Sequence, residues 1–153
     1  MTAIDLQTDR QIVIDEVLPH DAGIVWKALT DGALMARWMM APAGFAPVVG
    51  IDFTFQTRAA GAWDGIIRCR VLEVEANRRI AYAWQGGDEA NDGYGSKLDT
   101  IVTFTLTPVD GGTRLQLVHS GFVLPKNAVA RQNMGEGWPK VIARLGEAIA
   151  GEA

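Results

Sequence analysis

The feature that most constrains this chain is an alternation. From Gly50 to His119, apolar and polar residues exchange with a period of two in segment after segment. Phe53 and Phe55 alternate with Asp52, Thr54 and Gln56, and Ile67, Cys69 and Val71 alternate with Arg68 and Arg70. Ile80, Tyr82 and Trp84 alternate with Ala81 and Ala83, Val102, Phe104 and Leu106 with Thr103 and Thr105, and Leu115, Leu117 and His119 with Gln116 and Val118. Successive side chains of a strand point to opposite faces, so these segments predict strands with one buried and one wet face, the habit of an antiparallel sheet. Asp110-Gly111-Gly112 is a strong hairpin signal, because these residues tolerate positive φ. Glu75-Ala76-Asn77-Arg78 is a weaker turn signal. Residues 86–97 (GGDEANDGYGSK) hold almost nothing apolar, and they predict an exposed, mobile loop flanking the opening of a cavity.

The flanks have other periods. Residues 10–18 (RQIVIDEVL) read as a strand with Ile12 and Ile14 on one face; Val17 breaks the phase, which admits a bulge. Asp21 then stands where a carboxylate can cap a helix, and Val25, Trp26 and Leu29 repeat at helical spacing. Thr30-Asp31-Gly32 interrupts before a second short helix, ALMARWMM. From about Asn127 to Ala150, Met134, Trp138, Val141, Ile142, Leu145 and Ile149 fall on one helical face. Gly135, Gly137 and Pro139 weaken the first half, so the helix is expected to start near Gly137 or to kink there. The predicted class is α+β: a curved antiparallel sheet around a long C-terminal helix, with two short helices after the first strand. A curved sheet and one helix cannot fill the space between them everywhere, and an apolar cavity of ~300–1,000 Å³ is expected in the gap.

Composition excludes several functions. The chain of 153 residues carries 14 Lys and Arg against 18 Asp and Glu, a formal net charge of −4, which is wrong for sequence-independent nucleic-acid binding. No apolar run approaches the ~20 residues that span a bilayer, and the polar stretch Met1 to Arg10, with Asp5 and Asp9, does not read as a signal peptide. A single cysteine, Cys69, cannot form an intrachain disulfide, and with His20 and His119 it matches no familiar metal spacing. The expectation is one soluble, cytoplasmic domain over residues 1–153, either monomer or homodimer, with no metal, nucleotide or redox cofactor and no membrane partner.

Candidate chemistry is sparse. Alternation places His119 and Cys69 with the inward set; His119 reads either as a general acid or base or as a hydrogen-bonded residue steadying the Ser120-Gly121 turn. Cys69 reads as an apolar filler. Asp88, Glu89 and Asp92 lack the ligand order of a calcium loop, and Gly93-x-Gly95 lacks the rest of a dinucleotide fingerprint. Arg68 and Arg70 read as a solvated outer face. The aromatics carry more. Trp26, Trp38, Trp63, Trp84 and Trp138, with Tyr82, offer wide apolar walls with single polar handles. Of these, Trp26 reads as core, and Trp38, Trp84 and Trp138 stand nearest the expected gap.

Several segments together resemble a known family. Val25-Trp26, Leu29-Thr30-Asp31 and Trp38 resemble its "VW…LTD…W" opening, and Gly50 to Phe55 resembles its next strand. Tyr82-Ala83-Trp84 resembles its "Y-x-W" strand, and Gly111 to Leu115 with His119-Ser120-Gly121-Phe122 resembles its "GGTRL…HSGF" hairpin. Gly137-Trp138 resembles its "GW" helix. The family is the bacterial group similar to the C-terminal domain of the heat-shock-protein-90 ATPase activator, in the START/Bet v 1-like (SRPBCC) superfamily. The resemblance implies a helix-grip fold whose cavity binds hydrophobic molecules.

On this basis the expected function is non-covalent binding of a small hydrophobic molecule, aromatic ones included. Its predicted walls are Trp38, Phe53, Phe55, Ile67, Cys69, Tyr82, Trp84, Phe104, His119, Met134 and Trp138. The alternative is an enzyme of cyclase, dehydratase or hydrolase type using His119 and Tyr82 in the same cavity. A third class is a protein-interaction module, with a chaperone as its partner.

Overall fold

A computed structural model describes residues 10–152. The stretch of residues 1–9, read above as no signal peptide, lies outside the described residues. Strand β1 (Gln11–Leu18) is followed by helices α1 (Ala22–Thr30) and α2 (Gly32–Trp38). Strands β2 (Asp52–Gln56), β3 (Ile66–Glu75), β4 (Arg79–Gly86), β5 (Leu98–Val109) and β6 (Gly112–Ser120) come next, and α3 (Ala128–Glu152) ends the fold. The strands form one antiparallel sheet in the order β1-β6-β5-β4-β3-β2. Each meander strand pairs with its predecessor, and β1 closes onto β6 with Gln11 opposite Ser120 and Leu18 opposite Thr113. The curved sheet grips α3, the α+β helix-grip arrangement that the alternating segments predict.

The inward set follows from the register. Val102, Phe104, Leu106, Leu115 and Leu117 are all buried, while Thr103 and Thr105 are only half-buried. The hairpin between β5 and β6 turns on Asp110-Gly111 alone, Gly111 taking φ 84°, and Gly112 already pairs with Val109. Trp138, Ile142, Leu145 and Ile149 form the buried stripe of α3, with Met134 and Val141 half-buried beside it. Burying such side chains contributes about 1.5–3 kcal/mol each, which holds the helix in the sheet.

Three local expectations are corrected. β1 contains no bulge: its pairing to β6 runs residue for residue, and the phase break is met by leaving Val17 in solvent. The register shift lies in β3 instead, between Val71 and Glu73, where Leu72 is pushed outward. Asp21 precedes α1 but caps it through its backbone carbonyl, which accepts from Ile24 and Val25 N–H; the working carboxylate cap is Asp31, accepting from Ala33 and Leu34 N–H at 3.0 and 3.2 Å. α3 does not wait for Gly137. It starts at Ala128, as the Asn127 end of the periodic segment allows, and carries Pro139 inside it. Its first turns are anchored by the buried Asn127 and Ala130 and by Arg131, which donates to Gln11 O at 3.0 Å.

No helix among the described residues is long and apolar enough to cross a membrane.

Candidate functional site

The space between sheet and helix is mostly filled, and aromatic rings fill it. Trp38 meets Phe104 edge-on at 6.1 Å, Phe53 meets Tyr82 at 5.2 Å, and Phe55 meets Trp84 at 5.6 Å. Trp38 also gives its indole N–H to Ala28 O at 2.9 Å, which ties the α1–α2 pair together. Among the described residues, the space left beside these rings includes two adjoining cavities. They lie at one end of the sheet, where the chain after α2, the β4–β5 loop and the first half of α3 converge. One holds about 180 Å³ and the other about 210 Å³, and both are lined by Met40, Trp84, Asn133 and Met134. The first also reaches Trp63, Ile67 and Leu98. The second runs outward along Met39, Trp138 and Val141.

The β4–β5 loop is a built wall, which corrects the expectation of a loop with little to bury. Gly95 and Ser96 are buried, and Tyr94 is half-buried. Asn91 donates to Ala60 O and Gly95 O, at 2.7 and 3.1 Å. The buried Asn127, just before α3, donates to Ser96 Oγ and Lys97 O at 3.0 and 2.8 Å, while its own carbonyl accepts from Val123 N–H. The glycines permit this folding. A Cβ on Gly87, which has φ 74°, would sit 2.1 Å from Ser96 O. Tyr94 donates to Arg58 O and receives the Arg58 guanidinium over its ring, 4.7 Å from the centroid, and Trp63 donates to Ile66 O.

Beside the cavities stands a buried polar chain centred on His119. An indole N–H can only donate, so Trp138 Nε1–H, 3.1 Å from His119 Nδ1, makes Nδ1 the acceptor. The ring proton then belongs on Nε2, which faces Thr100 Oγ1 at 2.8 Å. The Thr100 hydroxyl in turn donates a hydrogen bond to Trp84 O at 2.8 Å. Both imidazole nitrogens are thus engaged by the protein. Burial holds the His119 pKa down at about 3, from an ordinary 6.5, so the ring is neutral. Burial likewise raises the Cys69 thiol to about 12 and pushes the Tyr82 phenol well above its usual range, with Cys69 adding a smaller push.

Of the residues expected in the walls, Ile67, Trp84, Met134 and Trp138 line these two cavities. Trp38, Phe53, Phe55, Tyr82 and Phe104 line neither and pack into the core, as does Cys69. His119 lies behind Trp84 and Trp138, its ring 5.5 and 5.9 Å from theirs. Sequence reasoning missed Met39, Met40, Leu98 and Asn133 as wall residues. The "WMM" end of the second short helix held a signal for the methionines. Nothing in the local pattern marked Asn133. Arg68 and Arg70 do face outward, paired with Asp64 and Asp52.

Fold and cavities define a helix-grip domain with an apolar recess at the open end of the sheet. The family model for Activator of Hsp90 ATPase homolog 1-like protein matches residues 20–150, and the chain belongs to that family. Among solved structures it is similar to protein MLL2253 from Mesorhizobium loti, at 32% identity and a TM-score of 0.81, over 94% of this chain and 99% of that one. It is similar to CalU16 from Micromonospora echinospora at 25% identity and a TM-score of 0.70, covering 93% of this chain and 77% of that one. The fold is shared with the Aha1 dimer from Colwellia psychrerythraea, at 18% identity and a TM-score of 0.69, over 91% and 95% of the two chains. No curated protein matches the sequence.

Proposed function

We propose that this protein binds a small hydrophobic molecule, aromatic ones included, non-covalently in the recess at the end of the sheet. One observation carries the reading: two adjoining apolar cavities share Met40, Trp84, Asn133 and Met134. Each alone is smaller than the ~300–1,000 Å³ of ordinary small-molecule sites. Methionine side chains are unbranched and re-rotamer easily, so movement of Met40 and Met134 joins the two into a recess of that size. The engagement of both His119 nitrogens supports an orienting role for that ring, holding Trp84 and Trp138 in place, over proton transfer to a ligand. On this reading the chain is a single ligand-binding domain working in the cytoplasm.

Native mass spectrometry of the purified protein, followed by calorimetric titration with two- and three-ring aromatics, tests the proposal. A bound molecule should be recovered chemically unchanged, and Trp84→Ala should weaken binding by removing the shared wall. Recovery of a converted product would move the protein to the enzyme class. If no aromatic binds, and Trp84→Ala behaves as wild type throughout, the recess is not a ligand site.

A further inference from the structure

Resting on that reading, we infer that the recess selects neutral ligands that carry a hydrogen-bond acceptor, and that the indole N–H of Trp84 is the group that reads the acceptor. Ketones, aldehydes, esters, amides and quinones on an aromatic frame belong to this class; ionised carboxylates do not.

Three observations converge on it. Among the described residues, no Asp, Glu, Lys, Arg or His lines either cavity. An anion entering there would lose its water and meet no counter-charge, which disfavours it strongly. Second, several polar groups around the recess already have partners within the protein, and Asn133, which lines both cavities, is exposed to water. Tyr94 donates to Arg58 O, Trp63 to Ile66 O and Trp138 to His119, and Ser96 Oγ accepts from Asn127. Third, Trp84 Nε1 is, among the described residues, the buried side-chain nitrogen or oxygen with no hydrogen-bond partner. Trp84 lines both cavities.

The His119 chain explains why this donor stands alone. The rings of Trp84 and His119 are 5.5 Å apart and edge to face, so His119 is the nearby ring with an acceptor nitrogen. That nitrogen, Nδ1, is occupied by Trp138, and Nε2 is turned to Thr100. The protein thus holds two indole donors beside one imidazole acceptor. An unmet buried donor is costly, and a ligand oxygen reaching it would recover that cost on binding. Met40 and Met134 line both cavities together with Trp84, and their flexibility lets the wall beside the indole give way.

The test uses three probes with one two-ring frame: naphthalene, 2-acetonaphthone and 2-naphthoate, titrated calorimetrically at neutral pH into the wild type and Trp84→Phe. The ketone should bind about tenfold more tightly than naphthalene, the value of one recovered hydrogen bond. The carboxylate should bind most weakly. Trp84→Phe trims the wall for both neutral probes, so both affinities should fall together, while the tenfold preference for the ketone over naphthalene should disappear. Where Trp84→Phe fails to fold, the wild-type Trp84 indole ¹H–¹⁵N resonance takes its place, and it should move downfield with the ketone only. Naphthalene and the ketone binding equally, or the carboxylate binding as tightly as either, overturns the selectivity while leaving the ligand site standing. If none of the three binds, the selectivity and the ligand site fall together.

Discussion

Lowering the pH from 8 to 5 should destabilise this protein, and His119 should be the main cause. Its ring is neutral in the folded chain, held at about 3 by burial against an ordinary 6.5. A second proton would also have to sit on Nδ1, facing the Trp138 N–H that donates to it. The unfolded chain therefore binds more protons than the folded one at every pH between the two values. Stability from this group is complete above about 6.5 and is lost as the pH falls toward 3. At pH 5 an unfolded histidine is protonated by roughly 30 to 1 while the folded one stays neutral, which amounts to about 2 kcal/mol. Urea unfolding at pH 8, 7, 6 and 5 reads this directly. With a slope of ~1–3 kcal/mol per molar, the midpoint should drop by about 1 M. The carboxyls of Asp15, Asp52 and Asp64 are shifted below 3.8 by hydrogen bonds, to Arg114, Arg70 and the Ile66 N–H respectively, so their losses fall at pH values under this window. His119→Gln, which cannot titrate, should flatten the profile even if it lowers stability throughout. The same slope in His119→Gln, or an NMR titration of the His119 ring with a midpoint near 6.5, would falsify the reasoning.

Leu145 is wholly buried in the α3 stripe, so Leu145→Ala should lower unfolding free energy by about 2–5 kcal/mol in urea titration. A loss under ~0.5 kcal/mol would make α3 peripheral. Asn127→Ala removes the amide that joins the β4–β5 loop to the start of α3 and leaves Ser96 Oγ, Lys97 O and Val123 N–H short of a partner. It should cost about 1–3 kcal/mol and speed hydrogen exchange in residues 87–97; unchanged exchange would mean that other contacts hold the loop. The Cys69 thiol, buried and raised to about 12, should resist a disulfide-exchange reagent at pH 8 and react fully in denaturant. Rapid labelling of the folded protein would contradict its burial.

The strands were legible because alternation is a local property. Phe53, Cys69, Tyr82, Phe104 and Leu117 face inward as their parity demands, and the Asp110-Gly111 turn follows from residues that accept positive φ. The cavities were not legible, because parity says which way a side chain points and not how much room remains there. Trp38, Tyr82 and Phe104 are inward and large, so they close the space they were expected to line. What stays open is the far end of the sheet, beyond the reach of those rings. Its walls come from Met40, Trp84 and Asn133, residues far apart in the chain. The β4–β5 loop misled for a related reason: its glycines suggest exposure, whereas at Gly87 they allow backbone to lie against backbone. The phase break at Val17 and the shift after Val71 look alike in sequence, and only pairing with a neighbouring strand distinguishes them.

The pairing of β1 with β6 has a consequence for how the chain is made. Gln11 waits for Ser120, and Ile12 for His119, so β1, synthesised before the other strands of this sheet, completes its ladder only after nearly the whole sheet has been made. Until then β1 carries Ile12, Ile14 and Leu18 on an unpaired edge, the kind of segment that recruits other chains. Closing so long a loop is entropically expensive and slow compared with forming the β3–β4 or β5–β6 hairpins, whose partners are adjacent. Those hairpins are thus the units expected to form first during translation, with β1 docking last onto β6. A nascent chain stalled before Gly112 would therefore be the aggregation-prone species, and holding it soluble would fall to whatever binds β1 in the meantime.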